Sequence, residues 1–235
     1  MNFGICISTY QRKDGKTPEL LRRALDSVFN QTYKNFKIFL IGDKYENNDE
    51  FEKILSEYPS EKIYYENLEI ANERDFYNNK MAIWSYGGVN ALNRCIDVAF
   101  SNNFVFLCHL DHDDWWYPNH LENIKNCIEE TNADWICTKS TYASAGRFLP
   151  NLMSNDKYIK FEPGYAKLIH SSVCINYKNI PLKYRDLFKI TGKVGLPADA
   201  DLWERIKVFA KENNKKCILI NELTCRHDEE GFERR

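Results

Sequence analysis

Residues 108–118 read "CHLDHDDWWYP", with two histidines and three aspartates inside six positions. Such a cluster suits a transition-metal hydrolase, a carboxylate clamp for a hard cation and a phosphate, or a charged turn closing a buried strand. Asp111 and Asp113 are one residue apart just past an apolar run, where the backbone can turn both carboxylates toward one point. Carboxylates that close repel, and raise each other's pKa, unless a cation compensates. Hard oxygen ligands favour Mg2+ or Mn2+, ions that keep some waters and bind substrate phosphates directly. The zinc reading fares worse. Strand parity puts His109 on the face of Asp111 and Asp113 and turns His112 away. The H-E-x-x-H and H-x-H-x-D-H spacings are also missing. His109 then reads as a satisfied sheet residue, His112 as an exposed spacer, and His120 and His170 as similarly structural.

The elements that must carry this cluster show in the hydrophobic pattern. "FGICIS" (3–8), "FKIFLIG" (36–42), "KIYYE" (62–66), "NFVFLCHL" (103–110) and "DWICTKS" (134–140) are short apolar runs rich in strand formers. The second and fourth are nearly continuous, as in strands covered on both faces. Between them, Leu21, Ala24, Leu25, Val28 and Phe29 mark one helix face, with Thr17 and Pro18 as its N-cap and first turn. Val89, Leu92, Ile96 and Ala99 mark a second, and Leu121, Ile124 and Ile128 a third. Alternation of this kind predicts an α/β fold with a mostly parallel, Rossmann-like sheet and helices on both faces. After residue 141 the rhythm breaks. "LIHSSVCINY" (168–177) reads as an isolated strand, a helix follows Pro197, "KKCILI" (215–220) is a last strand, and a charged tail closes the chain. We read 1–235 as a single domain, with a nucleotide-binding half at 1–114 and a variable second half at 115–235.

The bulk numbers exclude several classes. At 235 residues, 43% hydrophobic and 28% charged, the chain has a globular balance. With 32 Lys+Arg against 34 Asp+Glu it lacks the basic excess of a nucleic-acid binder. The eight cysteines include no C-x-x-C, and several sit in apolar runs, which suits buried free thiols in a reducing, cytoplasmic setting. No run approaches the roughly 20 apolar residues of a spanning helix, and no signal peptide opens the chain.

In open α/β sheets, ligands bind beyond the carboxyl ends of the strands. "STYQR", "IGDK" and "LDHDD" each end such a run, so polar clusters up to a hundred residues apart converge on one rim. Here the chain resembles the family 2 glycosyltransferases of the GT-A fold over almost its whole length. "ISTYQR" is similar to that family's P-T-Y-N-R. "ALDSVFNQTYKNFKIFLIGD" is similar to A-x-x-S-V-L-x-Q-T-Y-x-N-F-E-I-I-V-V-D-D. "GGVNALNRCI" matches the glycine-led helix, "FLCHLDHDDWW" the D-x-D loop, and "PADADLWERI" the later E-D-x-D-L-W-x-R.

The resemblance implies an inverting, metal-dependent transfer of a sugar from a nucleotide-sugar donor to a hydroxyl acceptor, as in glycan or polysaccharide assembly. It implies that Thr9, Tyr10, Arg12 and Asp43 line the nucleobase pocket, where the Asp43 carboxylate accepts an imide N–H and so favours UDP-sugars. Arg94 would lie near the diphosphate or base, Asp111 at the ribose or metal, and Asp113 on a Mn2+ or Mg2+ ion bridging the phosphates. Asp199 would be the catalytic base and His227 a further metal or phosphate contact. Asp199 opens a helix, where the dipole favours its ionised form, so an apolar neighbourhood is needed to keep it basic. Gly42, Ala198 and Cys95 depart from the family pattern, which expects Asp, Glu and Gly there. There is no Q-x-x-R-W motif of processive synthases. Residues 72–88 are expected to overhang the donor site as a loop, and 140–165 to form the acceptor wall. A nucleotidyltransferase, or a binding module without turnover, could use the same sheet. The first would show a Gly-rich phosphate loop after strand one, and "STYQRKDGKTP" is not one.

Overall fold

In a computed structural model that describes residues 1–142 and 147–227, strand–helix alternation starts at once. The first half runs β1 (Phe3–Thr9), α1 (Thr17–Phe29), β2 (Phe36–Gly42), α2 (Asn48–Leu55) and β3 (Ile63–Asn67). Two short helices, α3 (Asn72–Phe76) and α4 (Lys80–Tyr86), lead into α5 (Val89–Ser101) and β4 (Phe106–His109). Next come β5 (Trp115–Trp116), α6 (His120–Thr131), β6 (Trp135–Tyr142), β7 (Arg147–Leu149) and β8 (Tyr158–Lys160). A 3-10 turn at His170–Ser172 precedes β9 (Val173–Asn176), α7 (Leu187–Thr191), α8 (Ala198–Glu212) and β10 (Cys217–His227).

The sheet order is β3-β2-β1-β4-β9-β6-β10-β5, with β7 on β6 and β8 on β10. The four strands of the first half are mutually parallel. Antiparallel pairs gather in the second half, where β9 lies between β4 and β6 while β10 runs parallel to β6. The period of two in the strands divides their side chains between two layers. Ile5, Ile7, Ile38 and Leu40 pack with Leu21, Leu25 and Val28 of α1 and Leu121 and Ile124 of α6. Cys6, Phe39 and Ile41 face the other way, onto Ile96 and Ala99 of α5 and Leu202, Trp203 and Ile206 of α8. Fully burying such an aliphatic side chain stabilises by roughly 1.5–3 kcal/mol, so both helical layers are held by their apolar stripes. All eight cysteines are buried free thiols, and no described helix is long and apolar enough to cross a membrane.

Four expectations are corrected. Residues 168–177 are no isolated strand, because β9 pairs with both β4 and β6 and seals the sheet between its two halves. Residues 72–88 are mostly helical. The Asn79 side chain caps α4 by accepting from the N–H groups of Met81 and Ala82. Thr17 lies inside α1, where its hydroxyl accepts from Arg12 N–H at 2.9 Å and donates to Tyr10 O at 3.0 Å. It therefore ties down the loop after β1 rather than capping the helix. The last strand continues to His227 through register shifts between Ile220, Leu223 and Cys225, which lets β10 also pair with β5. The charged tail from residue 228 lies outside the described residues, as do 143–146 of the expected acceptor wall.

Candidate functional site

The ends of β1 and β2 are tied together, with Asp43 N–H donating to Thr9 O at 2.7 Å. Both side chains there are buried, and each keeps an oxygen without a protein partner: Thr9 Oγ1 and Asp43 Oδ1. Other buried atoms share this state, such as Trp135 Nε1 and Trp203 Nε1, but at the strand ends a bound ligand or water is one way to satisfy them. Asp43 Oδ2 accepts from Arg74 Nε at 2.8 Å, and the Arg74 guanidinium carbon lies 3.5 Å from the centre of the Tyr10 ring. Burial pushes the Asp43 carboxyl up, against the opposing pull of Arg74. Arg12 is held by Asp14, Nη2 to Oδ2 at 2.6 Å, and its Nη1 reaches to 3.6 Å from Asp113 Oδ2. Gly42, where the family has Asp, also has a physical explanation. A Cβ there would collide with the Asn67 carboxamide, which exchanges hydrogen bonds with Tyr45 N and O at 2.9 and 3.0 Å.

The acidic loop is not extended. β4 stops at His109, and Asp114 N–H donates back to Asp111 O at 3.1 Å, so the chain turns and strand parity no longer applies. That is why His112 is buried instead of being an exposed spacer, with its ring edge-on to Tyr10 at 5.3 Å. Ser171 fastens the turn. Its hydroxyl accepts from Asp111 N–H at 2.9 Å and donates to Asp114 Oδ2 at 2.5 Å, and its carbonyl accepts from Trp116 Nε1 at 2.6 Å. Asp114 Oδ1 meets His227 Nδ1 at 2.9 Å, brought there by the long β10. Burial lifts the Asp114 carboxyl to about 6 against the pull of His227. His227 itself is lowered by burial but raised more by Asp114, Asp111 and Asp113, to about 9.

A buried chain of rings backs the loop. Asp111 Oδ1 bonds His170 Nδ1 at 2.8 Å, and His170 Nε2 meets the Tyr184 hydroxyl at 2.7 Å. That hydroxyl lies 3.2 Å from His109 Nδ1, while His109 Nε2 meets the Tyr177 hydroxyl at 3.0 Å. His109 is thus the satisfied sheet residue expected, while His120 opens α6, stacked on Trp116 with Nδ1 on the Thr224 hydroxyl at 2.8 Å and Nε2 buried without a partner. His170 is more than structural. Burial pulls its pKa down, but the charges of Asp111, Asp199 and Asp114 prevail and raise it. Burial likewise acts upward on Asp111, and His170, His227 and His112 outweigh it, leaving the carboxyl at about 2.

Asp199 stands in the first turn of α8, within electrostatic reach of both His170 and Asp111. Burial raises its pKa, against His170 and the N–H of Ala200. The preceding loop is anchored by Gly195 N–H on the Tyr86 hydroxyl at 2.8 Å. Ala198, in place of the family's Glu, is buried in the apolar layer under α8. The structure therefore gathers Thr9, Tyr10, Arg12, Asp43, Asp111, Asp113, Asp199 and His227 around the rim. Arg94, on α5, pairs with Glu66 of β3, Nη2 to Oε2 at 2.8 Å. Sequence reasoning missed Arg74, Asp114, His170 and Ser171, whose partners lie far along the chain.

Among the described residues no three His, Cys, Asp or Glu side chains close on one point. A hard divalent ion is commonly held by one or two carboxylates together with substrate phosphates. The side chain of Asp111 is 37% exposed and that of Asp113 21%, so both carboxylates reach solvent at the rim.

A sequence model described as glycosyl transferase family 2 matches residues 4–191. An uncharacterised glycosyltransferase of Acanthamoeba polyphaga mimivirus is 39% identical over 239 aligned positions, covering 98% of this chain and 95% of that relative. Among solved structures, S. aureus TarS in complex with UDP-GlcNAc is similar with a TM-score of 0.70 at 16% identity, over 99% of this chain and 60% of that one. The mannosyltransferase PcManGT from Pyrobaculum calidifontis, in complex with GDP-Man and Mn2+, is similar with a TM-score of 0.63 at 10% identity, over 98% of this chain and 58% of that one. The chain thus spans about 60% of the length of these solved chains, and at such identities the likeness speaks to the GT-A fold alone. With the family match covering most of its length and a relative aligned nearly end to end, the chain belongs to glycosyl transferase family 2 and is a glycosyltransferase.

Proposed function

We propose that the protein transfers a sugar from a nucleoside diphosphate donor, a UDP-sugar by preference, to a hydroxyl acceptor with inversion at the anomeric carbon, in a reaction that depends on Mn2+ or Mg2+. The observation that carries this reading is that Asp199 lies within electrostatic reach of His170 and Asp111, with Thr9 Oγ1 and Asp43 Oδ1 buried and unpartnered at the neighbouring strand ends. The complexes of similar folds with UDP-GlcNAc and with GDP-Man and Mn2+ support it.

In this reading residues 1–114 hold the nucleotide and 115–235 supply the acceptor wall and the base. Tyr10 offers a ring for the nucleobase, and Asp43 Oδ1 accepts its imide N–H. Arg12, already fixed beside Asp113, brings positive charge to the phosphate side. A divalent cation on Asp113, with Asp111 and His227 Nε2 beside it, would neutralise the charge developing on the departing diphosphate. Asp114 on Nδ1 fixes the His227 ring, leaving Nε2 to donate to a phosphate while the ring is charged, or to bind a cation once it has lost its proton. Asp199 takes the acceptor proton as the hydroxyl attacks. Burial keeps it basic despite the helix dipole, and the His170 charge keeps it ionised. One base opposite one leaving group gives in-line displacement.

The test is transfer from UDP-sugars to a panel of hydroxyl acceptors, with chelator and with added Mn2+. Asp199→Asn is expected to lower kcat by about 10²–10⁴-fold, the span of general base catalysis, while UDP affinity holds. Chelation should abolish transfer and added Mn2+ restore it. Metal-dependent UDP binding without transfer, and slow donor hydrolysis indifferent to Asp199→Asn, would replace the enzyme with a binding module.

A further inference from the structure

Tyr10 and Asp43 do not face an empty space. The Arg74 guanidinium lies over the Tyr10 ring at 3.5 Å and donates Nε–H to Asp43 Oδ2 at 2.8 Å. It is planar, it stacks on an aromatic face and it gives an N–H to a carboxylate. A uracil held by the same two residues would do the same three things. We propose that Arg74 fills the nucleobase pocket of the nucleotide-free protein as a surrogate base, and that the entering base displaces it. The inference rests on the reading of Tyr10 and Asp43 as a nucleobase pocket.

Three further observations support an exchange. The Arg74 side chain is 25% exposed against 1% for Asp43, so the arginine can return to water while the carboxylate cannot. Asp43 Oδ1 is buried without a partner while Oδ2 holds Arg74. The carboxylate therefore offers an incoming imide N–H an oxygen that Arg74 does not occupy. Gly88, in a left-handed conformation at φ 91°, opens α5 over this spot. A Cβ there would lie 3.8 Å from Arg74 Nη2 and 4.0 Å from Asp43 Oδ2, so the glycine keeps the roof of the pocket clear.

The exchange also selects the base. Uracil brings a ring N–H to the carboxylate, whereas cytosine presents an acceptor nitrogen at that ring position, which the carboxylate repels. Cytosine cannot take over what Arg74 was doing. The arginine thus lowers the affinity for every nucleotide by the same displacement cost, and only a base that satisfies Asp43 recovers it.

Calorimetric titration with UDP and CDP, in the presence of Mn2+, on the parent chain, Arg74→Ala and Asp43→Asn tests this. Arg74→Ala should bind UDP about tenfold more tightly, the factor that corresponds to about 1.4 kcal/mol of displaced contact. Its UDP association rate should rise, and its CDP affinity should rise by a similar factor from a weaker starting value, leaving the preference for UDP to Asp43. Should Arg74→Ala misfold, Arg74→Lys keeps a cation beside Asp43 without a plane to stack, and is expected to tighten UDP binding by a smaller factor. UDP affinity that is unchanged or weaker in the arginine variants overturns the proposal, because Arg74 then contributes nothing or contacts the nucleotide directly. UDP binding that is absent from the parent, or equal in parent and Asp43→Asn, overturns the pocket reading and the proposal with it.

Discussion

Glu73 precedes Arg74 on α3 and is 4% exposed, with Oε2 lacking any hydrogen-bond partner. Burial is the main cause that raises its pKa from the ordinary 4.5 to about 7, and the charges of Asp43 and Asp186 add to it. Its own N–H and that of Asn90 oppose the rise. The folded protein therefore holds this proton up to about 7, and the unfolded chain releases it near 4.5. Between those values the folded state binds more protons, so stability is full below about 4.5 and falls as pH rises through 7. The gap, at about 1.4 kcal/mol per pH unit, is worth on the order of 3 kcal/mol. Glu73→Gln removes the titration but leaves a buried amide with unsatisfied N–H groups, which costs about 1–2 kcal/mol. The variant should then be about 1–2 kcal/mol more stable than the parent at pH 8, and no more stable at pH 5. Urea unfolding of both proteins at pH 5, 6, 7 and 8 measures this. Subtraction cancels the other groups titrating there, among them Asp114 at about 6. A stability difference that stays constant from pH 5 to 8 refutes the assignment of the proton to Glu73.

Ser171→Ala removes the hydroxyl that joins Asp111 N–H to the Asp114 carboxylate. It should cost about 2–4 kcal/mol in urea unfolding, since a buried donor and a buried charge each lose a partner, and a loss below about 1 kcal/mol would show that the loop re-pairs by itself. Gly88→Ala should cost at least about 1 kcal/mol, because φ 91° is strained for any residue with a Cβ. A thermal melt identical to the parent's would show that α5 can start in another geometry.

What could be read from the residues alone follows the range of the forces involved. α1, α5, α6 and α8 carry apolar stripes at helical spacing, and β1 and β2 are short apolar runs buried on both faces, so local pattern placed them. Asp43, Asp111 and Asp113 were legible because they follow the ends of β2 and β4, whereas Asp199, in the first turn of α8, was read through the resemblance. Arg74 and His170 were not, because each acts on a carboxylate 31 and 59 residues away, and no local rule reports such a distance. α3 and α4 are five and seven residues long, too short to show a stripe. The Asn79 cap of α4 shows only in the structure. His112 misled because parity was carried past the point where β4 stops pairing.

The segment 72–86 joins the two ends of the site. At its start Arg74 holds Asp43. In its middle the Tyr77 hydroxyl donates to Asp186, while the ring meets Phe188 edge-on at 4.9 Å. At its end the Tyr86 hydroxyl accepts from Gly195 N–H, two residues before Pro197 and the start of α8. Tyr86 is buried, so that last contact is made inside the apolar layer. A segment fixed at its middle and end cannot swing away as a body without unmaking those contacts. The part free to move is the partly exposed Arg74 side chain. The proposed exchange of arginine for base at Asp43 would therefore proceed by side-chain rotation, with α4 and the loop that leads into α8 held still. On this proposal the base pocket would open and refill without disturbing Asp199, the carboxylate proposed as the base.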